Sequence, residues 1–183
     1  MIYNLSLQTA GFIAGLLLLL VSLPGLLMPA TARGWVTRFP RSFPVGIVLL
    51  TLAFVWSMWL LATMEMGEFA SFRKPLLIAV PIGFLLVLRF VNEFLAVRAL
   101  GILALLAGEP LLDAAFLRYE HSRLLVTVFA YLLIILGLFW VTMPYVLRDQ
   151  LAWITRTASR WRSVSFLALL YGAAILFCAF TRY

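Results

Sequence analysis

Long uninterrupted stretches of apolar residues, separated by short polar segments, are the main pattern along this chain. Residues 10–28 and residues 45–64 contain no charged side chain. Each stretch is close to the ~20 residues that an α-helix needs to cross the hydrocarbon core of a bilayer. The apolar residues form solid runs and do not alternate with polar ones, which favours helices over a closed β-barrel. The pattern therefore predicts an all-α fold, a polytopic integral membrane protein.

Proline, glycine and charge mark the expected bounds of the apolar segments. We expect four of these segments to be single helices, at residues 7–28, 44–64, 124–143 and 164–180. Segment 30–43 carries three arginines and is expected to be a loop, as is segment 65–75. Pro110 is expected to lie in the first turn of an amphipathic lead-in. The chain contains no repeat, linker or low-complexity tail, so residues 1–183 are expected to form a single helical transmembrane domain.

Residues 76–108 allow two arrangements, because 33 positions are too many for one upright crossing and too few for two full ones. In the first, two short helices meet near residues 89–98. In the second, one long helix broken at Pro81 continues past the membrane, in keeping with the lack of proline over residues 84–107. The distribution of arginines favours the pair. Six transmembrane segments are therefore expected, with five as the alternative.

Composition supports a lipid environment. The 183 residues are 65% hydrophobic and 11% charged, with a mean hydropathy of +1.10, whereas soluble proteins are about 45–50% apolar and ~25% charged. The formal charge of +7 comes almost entirely from arginines beside apolar segments. Orientation in the membrane and contact with lipid headgroups explain these arginines without a nucleic-acid partner. Membrane lipids are the expected partner, and nucleic acid is not.

The same arginines predict an orientation. The positive-inside tendency places the arginine-bearing segment 30–43 in the cytoplasm and the N-terminus on the other side. The helices, together with the absence of an organelle-targeting segment, favour the inner membrane of a bacterial cell.

A polar cluster inside the apolar stretch is the first candidate site. Arg89, Asn92 and Glu93 lie at i, i+3 and i+4, which would place them on one helix face, and Arg98 would face the opposite way. A charge at the bilayer centre costs about 2.5–3.5 kcal/mol on insertion scales, so it needs a partner or a wet cavity. The cluster is interpreted as an ion or proton path through Glu93, as an Arg89–Glu93 pair that fixes helix packing, or as a hydrated turn.

A second candidate is a short amphipathic helix at the membrane interface. Its apolar stripe, at i, i+3, i+7 and i+10, consists of Leu151, Ile154, Ala158 and Trp161. Arg156 and Arg160 lie one turn apart, away from the stripe. Trp35, Trp153 and Trp161 are expected at the membrane interface.

Two weaker patterns remain open. Five acidic residues and one histidine would meet on one side of a six-segment protein and could hold a hard cation such as Ca²⁺, although a solvated rim explains them equally well. They are Glu65, Glu68, Glu109, Asp113, Glu120 and His121. Gly11 and Gly15 in the first helix, and Ala168 and Gly172 in the last, allow close helix approach within the chain or against a partner.

The chain lacks the familiar catalytic and cofactor motifs. It contains no GxxxxGK[ST], GxGxxG, HExxH, CxxC or GxSxG sequence. His121 is the sole histidine and Cys178 the sole cysteine, so no bis-histidine haem site and no intrachain disulfide can form. No metal, cofactor or enzymatic activity is expected.

The function predicted from these features lies within the bilayer. The first hypothesis is a small helical subunit of a larger membrane complex, hetero- or homo-oligomeric, in which the polar cluster fixes helix or subunit contacts. The alternative is a small ion or proton channel or transporter that uses the cluster. An enzyme acting on lipid comes third.

Overall fold

The computed structural model describes residue 3, residues 5–91 and residues 93–181 of the chain. The described part is 88% helical and contains no strand, which confirms the all-α prediction. Its α-helices are α1 (Leu7–Leu27), α2 (Pro29–Arg38), α3 (Phe43–Thr63), α4 (Arg73–Phe90), α5 (Leu95–Ala115), α6 (Arg123–Thr142), α7 (Tyr145–Thr155) and α8 (Ala158–Thr181). Short 3-10 helices at Phe39–Arg41 and Gly67–Phe72 lead into α3 and α4. Six helices, namely α1, α3, α4 with the turn before it, α5, α6 and α8, are long and apolar enough to cross a membrane.

The region over residues 76–108 contains two helices, as in the paired arrangement. The chain leaves α4 at Val91 (φ −108°, ψ 74°) and enters α5 through Phe94, whose φ of 55° is left-handed and uncommon for a residue with a side chain. No proline or glycine marks this turn, so local signals did not predict it. Packing accounts for it, because Leu95 and Ala99 of α5 return to Leu50 of α3 in one apolar cluster.

Three local predictions are wrong. Segment 30–43 is helical and not a loop, because Pro29 fits the first turn of α2 and no further proline follows until Pro40. Pro110 does not begin a new helix. It lies inside α5, buried with Leu111, and α5 continues to Ala115. Segment 65–75 is not a loop throughout, because a 3-10 helix covers Gly67–Phe72 and α4 begins at Arg73. Pro81, the expected break in the alternative of one long helix, lies inside α4 and does not end it.

The centre of the bundle is α5, which packs against α6 on one side and α3 on another, while α1 packs against α8. The main core joins α1, α5, α6 and α8. It consists of Leu7, Ala10, Ala14, Leu111, Ala114, Ala115, Val126, Phe129, Ala130 and Ile175. In contrast, α4 buries no residue and lies at the edge, in contact with α3. Half of these core residues are alanines, which allow the helix backbones to approach closely.

Glycines allow helices to approach closely at several contacts. A Cβ added to Gly137 in α6 would lie 2.9 Å from the carbonyl oxygen of Gly101 in α5. A Cβ on Gly172 in α8 would lie 3.1 Å from the carbonyl oxygen of Gly15 in α1. The motifs at Gly15 and Gly172 therefore pack against each other within this chain. The sequence had left open whether they pack within the chain or against a partner. Gly101 and Gly137 are separated by 36 positions, so no local motif pointed to them.

Candidate functional site

The structure does not place Arg89 and Glu93 on one helix face. Because α4 ends at Phe90, Arg89 lies in its last turn, whereas Glu93 lies in the turn before α5. Both residues are exposed, and no ion pair joins them in the described part of the chain. Asn92 lies outside the described residues. The prediction that the i, i+3, i+4 spacing places these residues on a common helix face is therefore wrong, because the helix ends between Arg89 and Glu93.

Arg98 differs from the other members of the cluster because it is partly buried. It lies in the first turn of α5, where its backbone N–H donates to the carbonyl oxygen of Phe94 at 3.2 Å. The guanidinium Nε is buried and forms no hydrogen bond with any described residue. Arg98 therefore contributes a partly buried positive charge at the start of the central helix.

Nine of the fourteen basic residues collect at one end of the bundle. Since successive long helices run in opposite directions, this end is formed by α2, by the turn between α4 and α5, and by α7 with the start of α8. We call it the arginine-rich end. Its arginines are Arg33, Arg38, Arg41, Arg89, Arg98, Arg148, Arg156, Arg160 and Arg162. It has only two acidic residues, Glu93 and Asp149, so its potential is strongly positive.

Side-chain contacts join the elements of the arginine-rich end. The Arg148 guanidinium in α7 lies 6.0 Å from the ring centre of Phe94, in the turn between α4 and α5. Arg148 also forms an ion pair of 2.8 Å with the neighbouring Asp149. In α8, the Arg160 guanidinium lies over the indole of Trp153, 4.8 Å from its ring centre, a cation–π arrangement. Among the described residues, no carboxylate lies within ion-pair distance of Arg160.

The predicted interfacial helix over residues 151–161 is two helices. Leu151 and Ile154 belong to α7, Arg156 follows its last residue, and Arg160 belongs to the first turn of α8. The helical spacing of the stripe is therefore interrupted at residues 156–157, where α7 ends and the chain turns into α8.

Trp161, the last member of the stripe, is not at an exposed interface. It is 8% exposed and packs against α1, whereas Trp35 and Trp153 are 73% and 55% exposed. The difference arises because the start of α8 lies against the end of α1, a contact that no local pattern encodes.

An apolar groove at the arginine-rich end was not predicted. It lies between α6 and α7, has a volume of about 700 Å³, and is lined by Leu136, Trp140, Leu147, Asp149, Gln150, Leu151, Trp153 and Ile154. The indole Nε1 of Trp140 donates to Oε1 of Gln150 at 3.3 Å across the junction of the two helices. The sequence contained one signal for this groove: a tryptophan near the end of a predicted span, followed by a short amphipathic helix.

The opposite end of the bundle carries an aromatic cluster. The indole Nε1 of Trp56 in α3 donates to the Tyr3 hydroxyl at 2.6 Å, and the Tyr3 ring packs against Trp59. Burial raises the pKa of Tyr3, the hydrogen bond from Trp56 lowers it less, and the negative charge of Glu109 adds to the increase. Within the described residues, no three of the His, Cys, Asp and Glu side chains come together as a metal site would require. The structure thus gives the Ca²⁺ hypothesis no support.

Comparison of the chain with protein-family models, with curated proteins and with solved structures finds no match.

Proposed function

We propose that this chain is an integral membrane protein that acts as a small helical subunit of a larger membrane complex. Many large apolar side chains on the six long helices point outwards, for example Val21 in α1, Ile78 in α4 and Leu167 in α8. In water this surface would be unfavourable by roughly 25 cal/mol per Å² of apolar area. In hydrocarbon it carries no such penalty, which supports the membrane location.

The charge distribution supports an orientation within that proposal. With six crossings, the arginine-rich end lies on one side of the membrane and both chain termini on the other. The positive-inside tendency then places the arginine-rich end in the cytoplasm of a bacterial cell and the N-terminus outside the cytoplasm.

The exposure of α4 carries the proposal of a subunit role. This helix is long and apolar enough to span a membrane, yet none of its residues is buried. Its packing partner among the long helices is α3, through contacts such as the stacked rings of Phe54 and Phe84 at 4.5 Å. A helix with so little contact inside its own chain adds little to the stability of the monomer, and its free faces are available to another subunit.

Gly83 gives that surface a specific feature. A Cβ added to this residue would have no neighbour within 4 Å, whereas one added to Gly15, Gly101 or Gly137 would meet another helix of the same chain within 3 Å. Small residues allow helices in membranes to approach closely. A glycine on an open face of α4 is therefore placed to receive a helix from outside the chain.

The test introduces bulk at this position. Native membranes containing the wild-type protein, the Gly83→Leu variant or the Ala173→Leu variant are cross-linked before solubilisation, and the species are sized. We expect the wild-type chain in an adduct larger than its own 20.6 kDa, and we expect Gly83→Leu to lose that adduct. Ala173 is exposed on α8, so Ala173→Leu adds comparable bulk elsewhere and should leave the adduct intact. Circular dichroism and a monodisperse profile in detergent check that each variant is folded.

A wild-type chain that gives no adduct and migrates as a monomer contradicts the subunit role. The channel or transporter alternative requires Arg89 and Glu93 to line a path through the bilayer. Both are exposed at the arginine-rich end, Arg89 in the last turn of α4 and Glu93 in the turn before α5, which does not favour that role. The proposal assigns no catalytic residue.

A further inference from the structure

The groove between α6 and α7 has an apolar wall, and the ring of Trp153 in that wall contacts Arg160, which has no carboxylate partner among the described residues. We propose that it binds one acyl chain of an anionic phospholipid, with the lipid phosphate beside Arg160. This inference rests on the membrane location proposed above and is independent of the subunit role.

The apolar wall suits a hydrocarbon chain. Leu136, Leu147, Leu151 and Ile154 supply aliphatic surface, and the rings of Trp140 and Trp153 supply the rest. The volume of about 700 Å³ lies within the ~300–1,000 Å³ typical of sites for small molecules. Such a groove would accept an extended alkyl chain that lies along α6.

The charges around the groove favour a negative headgroup. Asp149 is the one carboxylate among the residues that line the groove. Both Nε and Nη2 of Arg148 lie 2.8 Å from Oδ1 of Asp149, so the charge of Asp149 is neutralised. Arg160 is held over the Trp153 ring and has no carboxylate partner among the described residues. The net charge of this group is therefore positive. A guanidinium provides several N–H donors in a fork that matches phosphate oxygens.

A neutral donor adds to this arrangement. The Oε1 atom of Gln150 accepts the hydrogen bond from Trp140, and the amide NH₂ of Gln150 donates to no described residue, so it can donate to a ligand. The polar groups around the groove thus present donors to a ligand that carries acceptors. A phosphodiester has this chemistry, whereas the choline group of a zwitterionic lipid adds a positive charge next to Arg160.

The position of the groove also fits a lipid. It lies at the end of α6, next to a short helix and to Trp140 and Trp153, and amphipathic tryptophan rings are enriched at the depth of the headgroups. An apolar helix from a partner would fill the wall equally well, but it would leave the Arg160 charge without an anion. The charge therefore favours phospholipid over protein as the occupant.

The test measures lipid binding to the purified full-length chain. Native mass spectrometry in mild detergent gives the dissociation constant of the first bound lipid, with phosphatidylglycerol, phosphatidylcholine and soluble glycerol phosphate as the three probes. We expect phosphatidylglycerol to bind about fivefold tighter than phosphatidylcholine, the effect of one arginine beside an anionic headgroup. Glycerol phosphate, which has no acyl chain, should not bind measurably.

Two matched variants locate the site. Arg160→Gln should weaken phosphatidylglycerol binding about fivefold and weaken phosphatidylcholine binding less, so that the preference for the anionic lipid is lost. Arg89→Gln removes the same charge from the same end of the bundle, but on α4, which does not line the groove, and should change neither constant. Equal binding of the two lipids by the wild-type chain overturns the proposal, as does an equal loss in both variants, which would indicate a diffuse charge effect.

The occupant is identified in native membranes. A photoreactive side chain in place of Ile154 should form adducts with lipid, and adducts with protein alone overturn the proposal. Flotation of the chain with alkali-washed vesicles separates the two levels of inference. A chain that floats but shows no lipid preference disproves the lipid site only, whereas a chain that does not float disproves the membrane location as well.

Discussion

The indole Nε1 of Trp161, near the start of α8, donates a hydrogen bond of 2.9 Å to the carbonyl oxygen of Gly25, near the end of α1. In a continuous helix this carbonyl would accept from the backbone N–H of residue 29, but residue 29 is proline and has no N–H. The last carbonyls of a helix need partners from elsewhere. Trp161 supplies one across 136 positions of sequence, and the absence of a Cβ on Gly25 leaves room for Ser165 beside it.

Loss of this hydrogen bond should destabilise the fold. Trp161→Phe keeps an aromatic ring in the buried site but removes the donor, so the carbonyl of Gly25 is left unpaired. We expect the free energy of unfolding, measured by titration with a denaturing detergent, to fall by about 1–3 kcal/mol. Trp35→Phe, at an exposed tryptophan, is the control and should change it by less than about 0.5 kcal/mol. Equal effects of the two substitutions would show that the bond does not contribute.

The glycine contact between α5 and α6 should tolerate no added carbon. In Gly137→Ala, the new Cβ would lie 2.9 Å from a backbone oxygen, which cannot move as a flexible side chain can. We expect the free energy of unfolding to fall by about 1–3 kcal/mol. Gly34→Ala in α2 meets nothing within 4 Å and should be neutral or stabilise the helix by about 0.5–1 kcal/mol. The same titration measures both, and a neutral Gly137→Ala would contradict the close packing.

Tyr3 should make the contact with α3 sensitive to alkaline pH. Burial raises the pKa of Tyr3 in the folded chain, which means that folding favours the neutral phenol. The resulting stabilisation is therefore fully present below the pKa of an unfolded tyrosine, about 10, and is lost as pH rises through the higher folded value. The ultraviolet absorbance of the phenolates should include a component that titrates above the usual range and that is lost in Tyr3→Phe. Titration of Tyr3 at the ordinary value would contradict this.

The proposed orientation predicts the location of reporters. Alkaline phosphatase fused after Thr181 or inserted at residue 119 should be active, because both positions lie at the end opposite the arginine-rich end. The same enzyme inserted at residue 93 should be inactive, and green fluorescent protein should give the reverse pattern. Inactive alkaline phosphatase at residue 119 and after Thr181 would mean that residues 76–108 cross once, against the six-segment arrangement.

Substitution of Glu93 distinguishes the proposed subunit role from the channel or transporter alternative. Because this carboxylate is exposed in a turn, we expect Glu93→Gln to change the free energy of unfolding by less than about 0.5 kcal/mol. Vesicles containing the wild-type chain should pass ions and protons no faster than empty vesicles. A wild-type flux that Glu93→Gln abolishes would support the channel or transporter alternative instead.

The limits of the sequence pattern are clearest around residues 89–98. Helical spacing placed Arg89 and Glu93 together, but spacing has meaning only if the helix continues between them. The turn at Val91–Phe94 contains neither proline nor glycine, and it forms where α5 packs back onto α3 through Leu95 and Gly46. Charge distribution favoured the correct arrangement, because it reports which segments lie at the same end and does not depend on local propensity.

The sequence by itself determined the helical class, since uncharged apolar runs of sufficient length encode it directly, and its charge distribution favoured six helices of spanning length over five. It also determined the accumulation of arginine at one end. Only the tertiary structure decided which helices touch: the contact between Gly101 and Gly137, the bond from Trp161 to Gly25, and the groove between α6 and α7. The physical reason is that all faces of these helices are similarly apolar, so hydrophobicity does not mark the packed face. Which face packs depends on the shapes of the helix surfaces, on where small residues meet, and on which carbonyl oxygens need a donor. Each of these depends on two segments that are distant in sequence.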